Sequence, residues 1–433
     1  MNILLFLFAA AIPLTDVSRV YLGSGSVPEF LIVALSLVAV VQSFVSGRVT
    51  LSRGRILVSC FVLVAVLSWV WAGGEFDRPN SLATEGVIRH LEYALLFFAV
   101  SSLVGSPAAR KHLIAGLWSG CAIAIVFAIA HWMIGLGESV FWSWGPTWAG
   151  SMTESTFRVW GSFSNPLELV AYLAPFLGMS IAMFTVARTR AARAFYLAMF
   201  IGTAFTMAVT GSKTVLLVLA AAVVMSSLLG VRTSRSAAAI VMIVPIAVAG
   251  IWLAGASNVL LARSQGDVRQ TESVTQREYV MSAAVDIIGE YPFLGVGPDR
   301  FEGVYDRGYR NSMSSGDPQT FTPENFFLLI GAELGVVAVV LLAWLLARAI
   351  AAGFGRNTTA LSMVSTLRPS VVSVAVVCYL IVGMVQSVSS ASTNLLLFSL
   401  LALQESTLVE RARLRRSELA LDSHPDVWWR VKR

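Results

Sequence analysis

Apolar residues recur along this chain in blocks of about 15–25, the length an α-helix needs to cross ~30 Å of hydrocarbon. That repetition leaves few folds open. Inside a bilayer every backbone N–H and C=O must be satisfied by the chain itself, so only helices and closed barrels can span it. The period-2 alternation of a barrel strand is absent, which selects a helical bundle. The charge inventory agrees: 56% of the 433 residues are hydrophobic and 13% are charged, whereas soluble domains carry about 25% charged residues. Blocks near 2–15, 28–46, 55–72, 85–105, 112–136, 168–187, 194–210, 213–230, 236–255, 324–347, 370–388 and 392–408 predict an all-α polytopic integral membrane protein with about 12 transmembrane helices. The seventh and eighth blocks are short and meet at Thr210-Gly211-Ser212-Lys213, so this pair is not expected to cross the whole bilayer separately.

The basic residues give the orientation. Connections 47–55, 106–112, 188–194, 231–235 and 348–369 carry arginine or lysine and no acid, and the tail adds Arg411, Arg413, Arg415, Arg416, Arg430, Lys432 and Arg433. Every second connection is therefore basic, which places both termini in the cytoplasm. The apolar N-terminus lacks the basic region of a secretory signal and is expected to be a retained first helix. The net charge of +6 belongs to this pattern rather than to nucleic-acid binding. Cys60, Cys121 and Cys378 lie inside apolar blocks with no metal-ligand spacing.

This topology divides the chain into a bundle of nine helices (1–255), a periplasmic loop domain (256–323), three further helices (324–410) and a basic cytoplasmic tail (411–433). The cytoplasmic loops are too short for a nucleotide-binding domain, so chemistry is expected on the outer face. Within the long loop, residues 273–289 read as an amphipathic helix. Ser273 and Gln276 have capping-box spacing, and Gly289 with Pro292 ends the element. Val274, Met281, Ala284, Val285 and Ile288 form its apolar stripe, and Arg277 lies on that stripe. A cation on a buried face needs an anionic partner, either a nearby carboxylate or a bound anion.

Other candidates cluster at the outer boundary. Arg158 stands beside Trp160 just before a membrane helix, either as an interfacial anchor or as an anion ligand. Lys213 begins an apolar block where the charge rule gives no reason for it. Its Gly-Ser-Lys-Thr setting lacks the first half of a phosphate-binding P-loop, which excludes ATP. Arg89 and Glu92 are spaced to pair with each other. Glu324, after Pro323, opens a membrane helix, either complementing the helix dipole or acting as a general base. Glu333, deeper in the same helix, needs a partner or a cavity. No Asp-x-Asp pair or His/carboxylate cluster occurs outside, so no metal or other cofactor is expected. Several cations, one candidate base and the tryptophans Trp142, Trp144, Trp148 and Trp160 suit a sugar linked to a lipid diphosphate.

The series Arg158…Gly161-Ser162-Phe163…Asn165-Pro166, Thr210-Gly211-Ser212-Lys213, Gln276-Arg277, Tyr291-Pro292-Phe293-Leu294-Gly295-Val296-Gly297 and Glu324-Asn325…Glu333-Leu334-Gly335 resembles the O-antigen ligase and Wzy-type polymerase superfamily of bacterial envelope enzymes. The resemblance implies a periplasmic-face glycosyltransferase with a GT-C-like fold. Such an enzyme moves a glycan from undecaprenyl diphosphate to an acceptor hydroxyl, with inversion and without metal. It implies that Arg158, Lys213 (where the family often has arginine) and Arg277 hold the diphosphate; Trp142, Trp144, Trp148, Trp160 and Asn325 are expected along the glycan path, although interfacial anchoring explains some of the tryptophans equally well. The family often has His-Asn at the head of the late helix. Here Glu324-Asn325 stands there, so Glu324 is the expected base, and the change favours a polymerase of the exopolysaccharide (xanthan-like) kind.

The expected partners are therefore an undecaprenyl-diphosphate oligosaccharide, membrane lipid and a protein that regulates chain length. An O-antigen ligase acting on lipid A-core is the alternative within the same chemistry. A lipid-glycan flippase is the alternative from another class, opposed by the lack of an internal repeat and by ionisable residues that gather at the boundary rather than at the midplane.

Overall fold

The computed structural model describes residues 1–22, 25–46, 51–75, 81–134, 159–212, 214–228, 267–309, 322–354, 369–386 and 390–422. Arg158, Lys213, Trp142, Trp144, Trp148 and the ninth predicted span lie outside these. Among the described residues the regular elements are all helical. The helices are α1 (Asn2–Ala11), α2 (Thr15–Leu22), α3 (Val27–Ser46), α4 (Arg53–Glu75), α5 (Ser81–Leu103), α6 (Pro107–Ile134), α7 (Pro166–Val186), α8 (Arg190–Val209), α9 (Thr214–Leu228), α10 (Asp267–Glu290), α11 (Phe326–Phe354), α12 (Pro369–Val385) and α13 (Ala391–Asp422). Eight described segments are long and apolar enough to cross a membrane, and α9 and α12 are shorter apolar helices.

Several boundaries differ from the sequence expectation, each for a local reason. The first span does not stop near residue 15. A 3₁₀ turn over Ile12–Leu14, built on Pro13, passes directly into α2, and Thr15 Oγ1 donates to the Ile12 carbonyl at 2.6 Å. The seventh span is not short, because Thr189 caps α8 through a bond from Ala192 N and the helix runs 20 residues. The last helix continues past residue 408 to Asp422. Arg411 donates to the Ala352 carbonyl at 3.0 Å, so the beginning of the predicted basic tail is a docked helix.

Helix α7 is the central element. Its residues from Leu169 to Met183 are all buried, and α8, α9 and α12 pack around it. Asn165 accepts from the backbone N–H groups of Leu167 and Glu168, both at 2.9 Å, and Pro166 occupies the first turn. At the other side of the bundle α1 lies on α6 at Gly116 and Gly120. A β-carbon on Gly116 would stand 2.4 Å from the Phe6 carbonyl, and one on Gly120 would stand 2.8 Å from the Ala9 carbonyl. Small residues four apart let two helix backbones approach where apolar burial supplies no drive.

The two ends of the bundle differ in chemistry. At one, the basic end, Glu405 is 4% exposed and takes Arg348 at 3.0 Å, while Arg110 meets Glu410 at 2.8 Å. Gln404 donates to the carbonyls of Ala349 and Pro369. The other, the motif end, carries α10, the turn that follows it, and the heads of α7, α11 and α13.

Candidate active site at the motif end

The organising feature is a break in α11. Gly335 has φ 83° and ψ 171° inside an otherwise continuous helix. Such a break frees backbone groups that a membrane interior cannot solvate. The segment Pro292–Gly297 takes them up. Val296 N donates to the Ala332 carbonyl at 3.0 Å, Gly297 N donates to the Glu333 carbonyl at 2.9 Å, and Val336 N donates to the Pro292 carbonyl at 2.7 Å. The fit admits no side chain at two positions. A β-carbon on Gly335 would lie 2.2 Å from the Phe293 carbonyl oxygen, and one on Gly295 would lie 2.4 Å from the Glu333 carbonyl carbon. Ser68, from the middle of α4, points its hydroxyl at the carbonyls of Leu294 (2.5 Å) and Glu333 (3.0 Å).

The carboxyl group of Glu333, which needed a partner, finds it in backbone N–H groups at the start of the next helical turn. Phe301 N donates to Oε1 at 3.4 Å, and the Asp299 backbone also bonds it. Two neighbours secure that turn. Arg300 is buried and donates to the Ala72 carbonyl at 2.7 Å, at the end of α4. Arg89 reaches Asp299 at 3.4 Å and Glu85 at 2.6 Å. The expected Arg89–Glu92 pair is therefore replaced by one with Glu85, a helical turn earlier, together with a contact across to the loop. Arg300 thus ties the turn to the end of α4, and Arg307 folds back on the Gly303 carbonyl.

Helix α10 begins at Asp267, six residues before the predicted start, so Ser273 stands inside the helix instead of at its head. Its buried face is Val280, Ala283, Ala284 and Ile287, packed with Val296, Phe301, Tyr305, Leu329 and Ala332. The stripe is rotated by about one residue from the expected one: Val285 is 55% exposed. That rotation brings Arg277 off the buried face. Its side chain is 48% exposed, and Nε lies 3.0 Å from Oε1 of Glu324, which is 11% exposed. The two strongest candidates from separate sequence motifs thus meet as an ion pair.

Asn325, beside it, has a structural task. Oδ1 accepts from the N–H groups of Phe327 (2.9 Å) and Leu328 (3.1 Å), capping α11, and Nδ2 donates to the Met384 carbonyl at 3.3 Å. Two residues on, Gln386 Nε2 donates to Ser212 Oγ (3.2 Å) and Thr214 Oγ1 (2.8 Å). The residues either side of Lys213 are thereby tied to the end of α12, against whose Gly383 Phe326 packs. Trp160 stands edge-on to His131 with ring centroids 4.8 Å apart, next to Gly161, whose N–H donates to His131 Nδ1. Ser68, Asp299 and Gln386 were not singled out from sequence. For Ser68 and Gln386 the signal available was a polar residue within an apolar block; Asp299, in the long loop, carried no such signal.

Capping by Asn325 is separable from any contact with substrate. Asn325→Ala is expected to lower stability by about 1 kcal/mol, and Asn325→Asp to recover most of it, because aspartate caps equally well. The thermal midpoint of the detergent-solubilised protein measures both.

Among the described residues, the break in a late helix, the ion pair at that helix's head and the loop strapped around the break make up the candidate site. Residues 197–343 match the family described as O-antigen ligase. This stretch contains the Thr210–Lys213, Gln276-Arg277, Tyr291–Gly297 and Glu324–Gly335 motifs. Over it the chain is similar to the O-antigen ligase and Wzy-type superfamily, which supports ligase- or polymerase-type function. Arg158 lies outside the matched stretch. No curated protein matches the chain.

Proposed function

We propose that this protein polymerises undecaprenyl-diphosphate-linked oligosaccharide repeat units on the periplasmic face of the inner membrane, by inversion and without metal. The observation that carries the reading is the Arg277–Glu324 pair at the mouth of α11, inside the stretch that matches the O-antigen ligase family.

The pair suggests an order of events. In the resting state the guanidinium neutralises the carboxylate. Arg277 is the more exposed partner, so an arriving lipid diphosphate can compete for it, with Arg158 and Lys213 as the further cations. Release of the guanidinium then lets Glu324 accept the proton of an acceptor hydroxyl. The hydroxyl oxygen then bonds to the anomeric carbon from the face opposite the diphosphate. The bond to the leaving oxygen breaks with its electron pair, and the cations meet the charge that develops there. Transfer in one displacement inverts the anomeric centre.

The family description itself favours a second reading, an O-antigen ligase. The two differ only in acceptor. Purified protein is supplied with a synthetic undecaprenyl-diphosphate repeat unit in EDTA and without nucleotide. A ladder of longer lipid-linked glycans is expected. Transfer seen only when lipid A-core is added would replace polymerase with ligase, and activity abolished by EDTA would overturn the metal-free mechanism.

A further inference from the structure

At the basic end, remote from the motifs, a cavity of about 270 Å³ opens between α3, the start of α4, the end of α5 and α13. Its walls include Gln42, Ser43, Arg55, Ser101, Ser102 and Arg413. We propose that this cavity binds the phosphate of an anionic membrane-lipid headgroup.

Charge comes first. Two carboxylates also border the cavity, Glu405 and Glu410; Arg348 pairs with Glu405, which also acts on Arg55, and Arg110 pairs with Glu410, so four arginines face two carboxylates. With those neutralised, Arg55 and Arg413 set the sign of the field inside. The guanidinium of Arg55 is fixed in place: Nε donates to Ser101 Oγ at 3.2 Å and Nη2 to Ser102 Oγ at 2.6 Å. A guanidinium oriented in this way is prepared for an oxyanion, since little rotamer freedom remains to be lost. Arg413 is exposed on the last helix and can close over a bound group.

Depth and flank identify the source of the phosphate. The cavity lies where α3 ends at Ser46 and α4 begins at Arg53, the level at which a span leaves hydrocarbon for headgroups. Beside its wall, α3 exposes Leu37 (62%), Val41 (61%), Phe44 (83%) and Val45 (84%). Acyl chains from a headgroup seated in the cavity would run along that face. A soluble phosphate would have no use for it. Basic pockets between helices at this depth are suited to anionic lipid.

The test uses full-length protein, delipidated in neutral detergent and titrated with phosphatidylglycerol, phosphatidylcholine or inorganic phosphate while bound lipid is read by native mass spectrometry. Phosphatidylglycerol is expected to bind in preference to phosphatidylcholine and to resist inorganic phosphate. Arg413→Gln, at an exposed position, should weaken that binding about fivefold, the contribution of one basic side chain at a membrane surface. Its lipid-free thermal midpoint should not change. Ser43→Leu, which fills the cavity, should abolish retention. Equal binding of the two lipids with no effect of Arg413→Gln would overturn the proposal. Displacement by inorganic phosphate would overturn the lipid as the source and leave a soluble-anion site.

Discussion

Gly335→Ala is expected to prevent accumulation of folded protein, or to lower its thermal midpoint by many degrees. Two costs combine. The residue sits at φ 83°, where an L side chain is strained by roughly 1–3 kcal/mol. The new methyl would also stand 2.2 Å from the Phe293 carbonyl oxygen, a backbone atom unable to yield without breaking the bonds that Val296, Gly297 and Val336 make across the break. Once those bonds open, buried N–H and C=O groups lose their partners at membrane depth, each costing several kcal/mol. Size-exclusion profiles and thermal denaturation of Gly335→Ala beside Gly331→Ala provide the comparison. At Gly331 a β-carbon would meet the flexible end of Ile288 at 2.8 Å instead of backbone, so that substitution should cost much less. Equal stability of Gly335→Ala and the parent would mean that the strap is not what holds the break.

Glu324→Gln and Arg277→Ala are each expected to reduce glycan transfer about 10²–10⁴-fold, the usual contribution of a positioned general base or a charge-stabilising group. Their effects should not add. The two side chains form one ion pair, so removing either disturbs the other, and the double variant should lose little more than the worse single one. Folding should survive both changes, because the pair is partly exposed and such pairs contribute only about 0–1 kcal/mol. Full additivity of the two rate losses would argue that Arg277 and Glu324 act in separate places.

The membrane spans were legible because apolar length is a direct physical requirement of the bilayer, and predicted spans such as 28–46 and 55–72 coincide with α3 and α4 to within a few residues. The broken helix was not legible. Gly335 lies in a run of apolar residues, and an isolated glycine there reads as a packing residue. Only the partner segment Pro292–Gly297, some 40 residues earlier, makes the break affordable. The face of α10 was misjudged by about one residue, since Val280, Ala283 and Ile287 give nearly as good a stripe as the one chosen. That single step moves Arg277 from a buried cation to a half-exposed one. Charge partners were least legible: Arg89 chose Glu85 and Asp299 over Glu92 because the turn at Asp299 folds against α5. Tertiary contacts such as those of Gln386 with Ser212 and Thr214 join segments far apart in the chain, and no local spacing foretells them.

In the proposed reaction Glu324 takes a proton during transfer of a lipid-linked glycan. The most direct measurement is the single-turnover rate on a synthetic undecaprenyl-diphosphate repeat unit for the parent protein, Glu324→Gln and Glu324→His. Transfer is expected from the parent, loss in Glu324→Gln, which keeps the shape but cannot accept the proton, and partial recovery in Glu324→His, which restores a base at the same place. Transfer by Glu324→Gln at the parental rate would contradict it.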